Sequence, residues 1–80
     1  MRINEVTANR IRQLCRERNI TPNRLSYLSA VPQATIKSIL AGESKNVGII
    51  TVKKLCDGLG ISVVEFFDTE EFNNLEQEIV

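Results

Sequence analysis

Between Pro32 and Gly42 the sequence reads PQATIKSILAG, and a helical period through it puts Ile36, Ile39 and Leu40 on one side. The opposite side then carries Gln33, Ala34 and Lys37, with Thr35, Ser38 and Ala41 at its edge. These residue types can do one kind of chemistry together. A glutamine amide can form paired hydrogen bonds to adenine N6 and N7, alanine and threonine methyls can meet the thymine methyl, and a lysine can reach guanine or phosphate. A merely solvated helix face would carry glutamate and several lysines, whereas no acid occurs from Ala30 to Gly42. Such a face suits a helix lying against a polyanion.

The elements that must hold this face follow from the flanking residues. Thr21 offers a side-chain oxygen to the free amides of a second helix, and Pro22 suits the first helical position because its missing N–H costs nothing there. Leu25 and Leu28 are expected inward, and Ser26 is small enough to let a neighbouring helix approach. Asn23 and Arg24 stand beside the free amides of that helix start, which makes them candidates for phosphate contact. The pattern breaks at Ala30 and Val31, and Pro32 opens the third helix, about Pro32 to Ala41. Thr35, at the edge of the polar face, is also assigned to phosphate.

Upstream, apolar Val6, Ala8, Ile11, Leu14 and Cys15 predict an amphipathic helix from about Glu5 to Arg18, capped by Asn4 or Thr7. Asn19 lies near its end, where a left-handed residue is tolerated. Arg10, Arg12, Arg16 and Arg18 fall on the other positions and read mostly as solubilising charge. Downstream, Glu43 to Gly48 is a loop. The β-branched run VGIITV is locally ambiguous, but Thr51 as a cap with Val52, Leu55, Cys56 and Leu59 behind it predicts a fourth helix stopped by Gly60. Ser62 caps a short fifth helix through Phe67. In the remainder, Phe72, Leu75 and Ile79 form one stripe of a sixth helix, for which a dimer contact, shared with Phe67, is expected because such a helix cannot bury itself alone.

Composition bounds the function. Eighty residues with 42% hydrophobic content suit one small domain. All ten Lys and Arg lie in residues 1–54 beside three acids, while residues 55–80 carry seven acids and no base. The net charge of zero therefore hides a dipolar molecule with one end that attracts phosphate. No apolar run approaches the roughly 18 residues of a membrane span, and MRINEV lacks the basic and apolar regions of a secretion signal, so a cytoplasmic protein without a membrane partner is expected. Cys15 and Cys56 have no CxxC spacing and no histidine accompanies them, so buried thiols rather than a metal site are expected. Without histidine, a glycine-rich phosphate loop or a carboxylate pair in an apolar setting, an enzyme is disfavoured, and no cofactor or small-molecule ligand is indicated.

From about residue 6 to residue 68 the sequence resembles the helix-turn-helix domains of the Cro and phage-repressor type, also called the xenobiotic-response-element (XRE) family. Ser26 matches the small residue of helix 2, Val31 the turn hydrophobe, and Ile36 and Ile39 the core residues of helix 3. Ile11, Leu14, Gly42 and the run Leu55, Leu59, Gly60, Ile61, Ser62, Phe66 complete the ordered set. The resemblance implies an all-α, five-helix, lambda-repressor-like DNA-binding domain over residues 1–68, with residues 69–80 as an acidic amphipathic tail. It implies base or nearby backbone contacts for Gln33, Ala34, Lys37 and Ser38, and phosphate contacts for Asn23, Lys45 and Asn46. Three departures stand out. Pro22 replaces the usual Gln, Ala30 the usual turn Gly, and Cys15 with Leu40 replaces an Arg–Glu ion pair, which predicts an apolar contact between helices 1 and 3. The function implied is a sequence-specific transcriptional regulator that binds double-stranded DNA as a homodimer. The alternative is an antitoxin or protein-interaction module whose tail holds a partner.

Overall fold

The computed structural model describes residues 1–79 and contains six helices among them. They are α1 (Ile3–Glu17), α2 (Pro22–Ser29), α3 (Gln33–Leu40), α4 (Ile49–Leu59), α5 (Val63–Phe67) and α6 (Glu70–Asn73). The expected all-helical class and helix order are what the chain adopts.

Helix ends follow local chemistry, with several shifts from expectation. Neither Asn4 nor Thr7 caps α1. Arg2 precedes the helix, and the Glu5 carboxylate accepts its backbone N–H at 3.0 Å, so the helix starts at Ile3, two residues before the expected Glu5. Thr7 consequently sits inside α1, where its hydroxyl donates to the Ile3 carbonyl at 2.7 Å. Asn19 adopts the left-handed conformation at φ 56°. Thr21 caps α2 by accepting the Arg24 N–H at 3.1 Å, and Pro22 begins the helix. Pro32 stands just before α3 instead of within it, and Ala41 just after it. α4 starts after Gly48 rather than after Thr51, because the Val52 N–H already reaches the Gly48 carbonyl at 3.1 Å. Its first turn leaves Ile49 and Ile50 81% and 71% exposed. Gly60, at φ 72°, ends α4, and Ser62 caps α5 by accepting the Glu65 N–H at 3.0 Å.

One core joins the first five helices. Ile11, Leu14, Leu25, Ile36, Ile39, Leu55, Cys56 and Phe66 are its most deeply buried side chains, and each buried Leu, Ile or Phe contributes about 1.5–3 kcal/mol. α2 packs most extensively on α4. Contrary to the periodic reading, Leu28 is 41% exposed, and Leu25 with Ser29 faces α4 instead. The close approach expected at Ser26 is found at Ser29 instead, against Gly58 of α4. The Ser26 hydroxyl is spent on the Val31 carbonyl. The expected apolar link between α1 and α3 is present. Cys15 is buried, Leu40 packs half-buried against the same cluster, and both line one groove. Burial pushes the thiols of Cys15 and Cys56 above the ordinary cysteine value, opposed at Cys15 by Arg18 and at Cys56 chiefly by Lys53.

The arginines of α1 do more than solubilise. Arg10 donates to the carbonyls of Glu65 and Phe66, each at 2.8 Å, at the end of α5. Arg18 donates to the Leu59 carbonyl at 2.9 Å, at the end of α4, and Arg12 donates to the Leu40 carbonyl at the end of α3. Helix C-termini present unpaired carbonyls and a partial negative charge, so two cations of α1 and a third just past its end cap three other helices.

The tail also departs from expectation. Thr69 caps α6, but the helix stops at Asn73, so Leu75 and Ile79 lie beyond it and the continuous helical stripe does not form. Phe72 instead turns inward, its ring centroid 6.0 Å from that of Phe66 and 4.8 Å from that of Phe67. Beyond α6 the chain runs beside the N-terminus. The Met1 amino group meets Glu76 at 3.1 Å, and Arg2 meets the Glu78 carboxylate at 2.7 Å. Both pairs are about half exposed and are worth roughly 0–1 kcal/mol each. Among the described residues no helix is long and apolar enough to cross a membrane.

Candidate nucleic-acid interface

The residues expected to read bases reach the surface because α3 is pinned from behind. Ile36 and Ile39 are buried and Leu40 is half-buried, which turns Gln33, Ala34 and Lys37 outward. Thr35 and Ser38, at the edge of that face, are half-buried. The turn before α3 sets its angle against α2. Ala30 takes the left-handed conformation at φ 57°, Val31 plugs into the core, and the Val31 backbone is held on both sides. Its carbonyl accepts the Ser26 hydroxyl, and its N–H donates to the Ser29 oxygen at 3.3 Å.

This turn brings the start of α2 beside the outward face of α3. A surface groove results, lined by Arg12, Pro22, Asn23, Gln33, Ala34, Ile36, Lys37, Leu40 and Ala41. Four of the residues singled out from the sequence, Asn23, Gln33, Ala34 and Lys37, therefore share one concave surface. No carboxylate lines it. The groove continues past Arg12 and Leu40 along Cys15, Arg16, Ile20 and Pro22, again without an acid. Its donors are an amide pair, two guanidinium groups and an ammonium, set on an apolar floor; this inventory suits phosphate and base edges.

The other expected contacts lie outside that groove. Arg24 is exposed on the first turn of α2, and its guanidinium carbon sits 5.0 Å from the centre of the Tyr27 ring. Lys45 and Asn46 are exposed in the loop between α3 and α4, where they border a cavity of about 130 Å³ with Ile3, Asn4, Thr7, Val47, Val52 and Phe67. Of the expected dimer set, Ile79 is 87% exposed and Phe67 36%, while Phe72 and Leu75 are half-buried.

Arg12 is the residue that sequence reasoning missed. Its signal was available. It precedes Cys15 by three residues, so if Cys15 packs against the end of α3, a side chain one turn earlier on the same face of α1 overhangs that end too. Of the tail acids, Glu76 and Glu78 are engaged at the N-terminus of α1, and Glu71 shares a surface pocket with Arg10 and Arg16 on the other side of that helix, while Asp57 pairs with Lys53 within α4. The acidic C-terminal half thus folds back on basic groups of the N-terminal half, while the groove itself stays free of acids.

Comparison with known proteins matches this arrangement. A crystal structure described as that of the prophage Lp1 protein 11 is similar in fold, with a TM-score of 0.82 and 34% sequence identity, over 94% of this chain and 100% of that one. No curated protein matches the chain. The family model for the Cro/C1-type helix-turn-helix DNA-binding domain matches residues 10–71, which span α1 from Arg10 through the start of α6. With that match over most of its length, the chain belongs to the Cro/C1-type helix-turn-helix DNA-binding domain family.

Proposed function

We propose that the protein is a sequence-specific DNA-binding transcriptional regulator whose helix α3 enters the major groove. The observation that carries this reading is the acid-free groove that unites Asn23, Gln33, Ala34 and Lys37. Gln33, Ala34, Lys37 and Ser38 contact bases or the adjoining backbone, and Asn23, Arg24, Thr35, Lys45 and Asn46 hold phosphates on either side.

An eight-residue α3 is about 12 Å long and reads one short stretch of one groove. A long operator then needs two copies, and we assign the protein to a homodimer on an inverted repeat with half-site centres about 34 Å apart. Phe67 and Ile79 are the members of the expected contact set left accessible for it, with Leu75 at the margin. Phe72 is turned into the aromatic cluster with Phe66 and Phe67, which withdraws it equally from this contact and from the alternative of a partner-binding tail, since both were read from the same stripe.

Selection from random duplexes at moderate salt tests the whole reading. The expected product is a two-fold symmetric site, bound with a log–log salt slope of about −0.9 per phosphate neutralised. Recovery of no enriched sequence would remove the claim of specificity, and an asymmetric single site would remove the dimer.

A further inference from the structure

Arg12 caps the end of α3 and, unlike Arg10 and Arg18 at their own helix ends, does so in the groove. It lies on α1, outside the two helices that form the reading unit, yet it lines the same groove as Asn23, Gln33 and Lys37. Its Nη2 donates to the carbonyl of Leu40, the last residue of α3, and its Nη1 lies 3.4 Å from the Asn9 side-chain oxygen. A guanidinium has five N–H donors, so most of its donor capacity remains for an acceptor in the groove.

The charge at that spot matters as much as the donors. Leu40 and Ala41, at the C-terminal end of α3, form part of the groove wall. The unpaired carbonyls of a helix C-terminus carry a partial negative charge of about half an electron, which would repel a backbone phosphate brought alongside. Arg12 covers that end with a full positive charge and reverses its sign. Arg16, one turn further along α1, lines the continuation of the groove and adds to the same field. By contrast, Arg10 and Arg18 cap α5 and α4 with partly buried side chains and line neither stretch of this groove.

We infer that Arg12 is a further DNA contact, which turns the phosphate-repelling end of α3 into an attractive one and binds a backbone phosphate directly. This rests on the DNA-binding reading above. The contact ties the phosphate to the reading helix through one side chain, so it sets how α3 is seated without itself reading sequence.

The test measures binding of wild type, Arg12→Gln, Arg12→Lys and Arg10→Gln to a selected duplex and to a scrambled one over a salt series, with thermal melting of each protein. Arg12→Gln is expected to weaken both duplexes alike by about tenfold. It should also make the log–log salt slope shallower by about 0.9, the value of one phosphate. Arg12→Lys should keep the wild-type slope and recover most of the affinity, and Arg10→Gln should lower the melting temperature without changing the slope. An Arg12→Gln protein with wild-type affinity and slope would overturn the inference. So would one that loses affinity and melting temperature together at unchanged slope, which is the behaviour of a cap alone, or an Arg12→Lys protein no better than Arg12→Gln. Wild type that binds neither duplex would sink the DNA-binding reading itself, and the inference with it.

Discussion

Gly58 of α4 lies so close over Ser29 of α2 that a Cβ at position 58 would stand 2.8 Å from the Ser29 Cβ and 2.9 Å from its Cα and backbone nitrogen. Two of those three neighbours are backbone, which cannot step aside. Inside a helix, Ala normally gains about 1 kcal/mol over Gly. Here the sign reverses, and Gly58→Ala is expected to destabilise by about 1–3 kcal/mol as α2 is pushed off α4. A urea-unfolding midpoint equal to or above that of wild type would disprove the contact.

Ala30 holds the turn between α2 and α3 at φ 57° and ψ 26°. A side chain in this region carries strain that glycine lacks, partly offset by the greater freedom of glycine when unfolded. Ala30→Gly is therefore expected to stabilise by about 0.5–1 kcal/mol. The check is the same denaturation experiment, and a loss of stability would show that the methyl group is worth more to the turn than the strain it causes.

Gln33 and Lys45 should separate readout from attachment. Gln33→Ala is expected to cost about 1–3 kcal/mol and to relax preference at one base pair, while Lys45→Ala should weaken all duplexes alike and reduce the salt slope by about one phosphate. Binding measured on a panel of single-base variants decides this. Unchanged base preference in Gln33→Ala would mean that the reading face is assigned wrongly.

Arg10 donates two hydrogen bonds to the carbonyls that end α5, Glu65 and Phe66, and Phe66 is fully buried. Loss of that cap in Arg10→Gln is expected to cost about 1–2 kcal/mol. Hydrogen exchange should then speed up in α5 and α6 more than in α3. Equal acceleration throughout would mean that Arg10 supports the whole core rather than this end of it.

Cys15 and Cys56 are both free thiols buried in the core, with pKa values raised chiefly by burial. In the native protein a thiol reagent should reach neither at neutral pH, and both should react on unfolding. The sign of the pH dependence follows from the raised values. The unfolded chain loses these protons first, so the stabilising effect of the neutral thiols is fully present below the ordinary cysteine pKa of about 8.5 and is lost as pH climbs toward the folded-state values. Thermal melts from pH 7 to pH 10 on wild type and on a Cys15→Ala, Cys56→Ala double variant would show it, the expected result being a smaller alkaline decline in the variant.

Periodicity and capping were enough to read the helical class, the helix order and the outward placement of Gln33, Ala34 and Lys37. Each of these depends on residues three or four apart and on a polar or constrained residue at a helix end, information that is local in the chain. Thr21, Asn19, Gly60 and Ser62 each act where the sequence put them. Local rules failed where two signals competed. Glu5 outbid Asn4 and Thr7 for the start of α1, and Gly48 opened α4 ahead of Thr51. The stripe of Phe72, Leu75 and Ile79 was broken because α6 ends at Asn73, while Phe72 packs on Phe66 and Phe67.

What the sequence determined by itself was which face of α3 is polar, that no acid accompanies it, and that positive charge is concentrated in the first 54 residues. Tertiary structure alone decided where those charges act. Arg10 and Arg18 look alike in the sequence, yet they end on the carbonyls of α5 and α4, because those helix ends are brought to them only by folding. Likewise Gly58 and Ser29 are distant in the chain and meet only where α2 crosses α4. A helix terminus exerts its field over a few ångströms and a backbone contact over less, so neither can be assigned to a partner until the chain has packed.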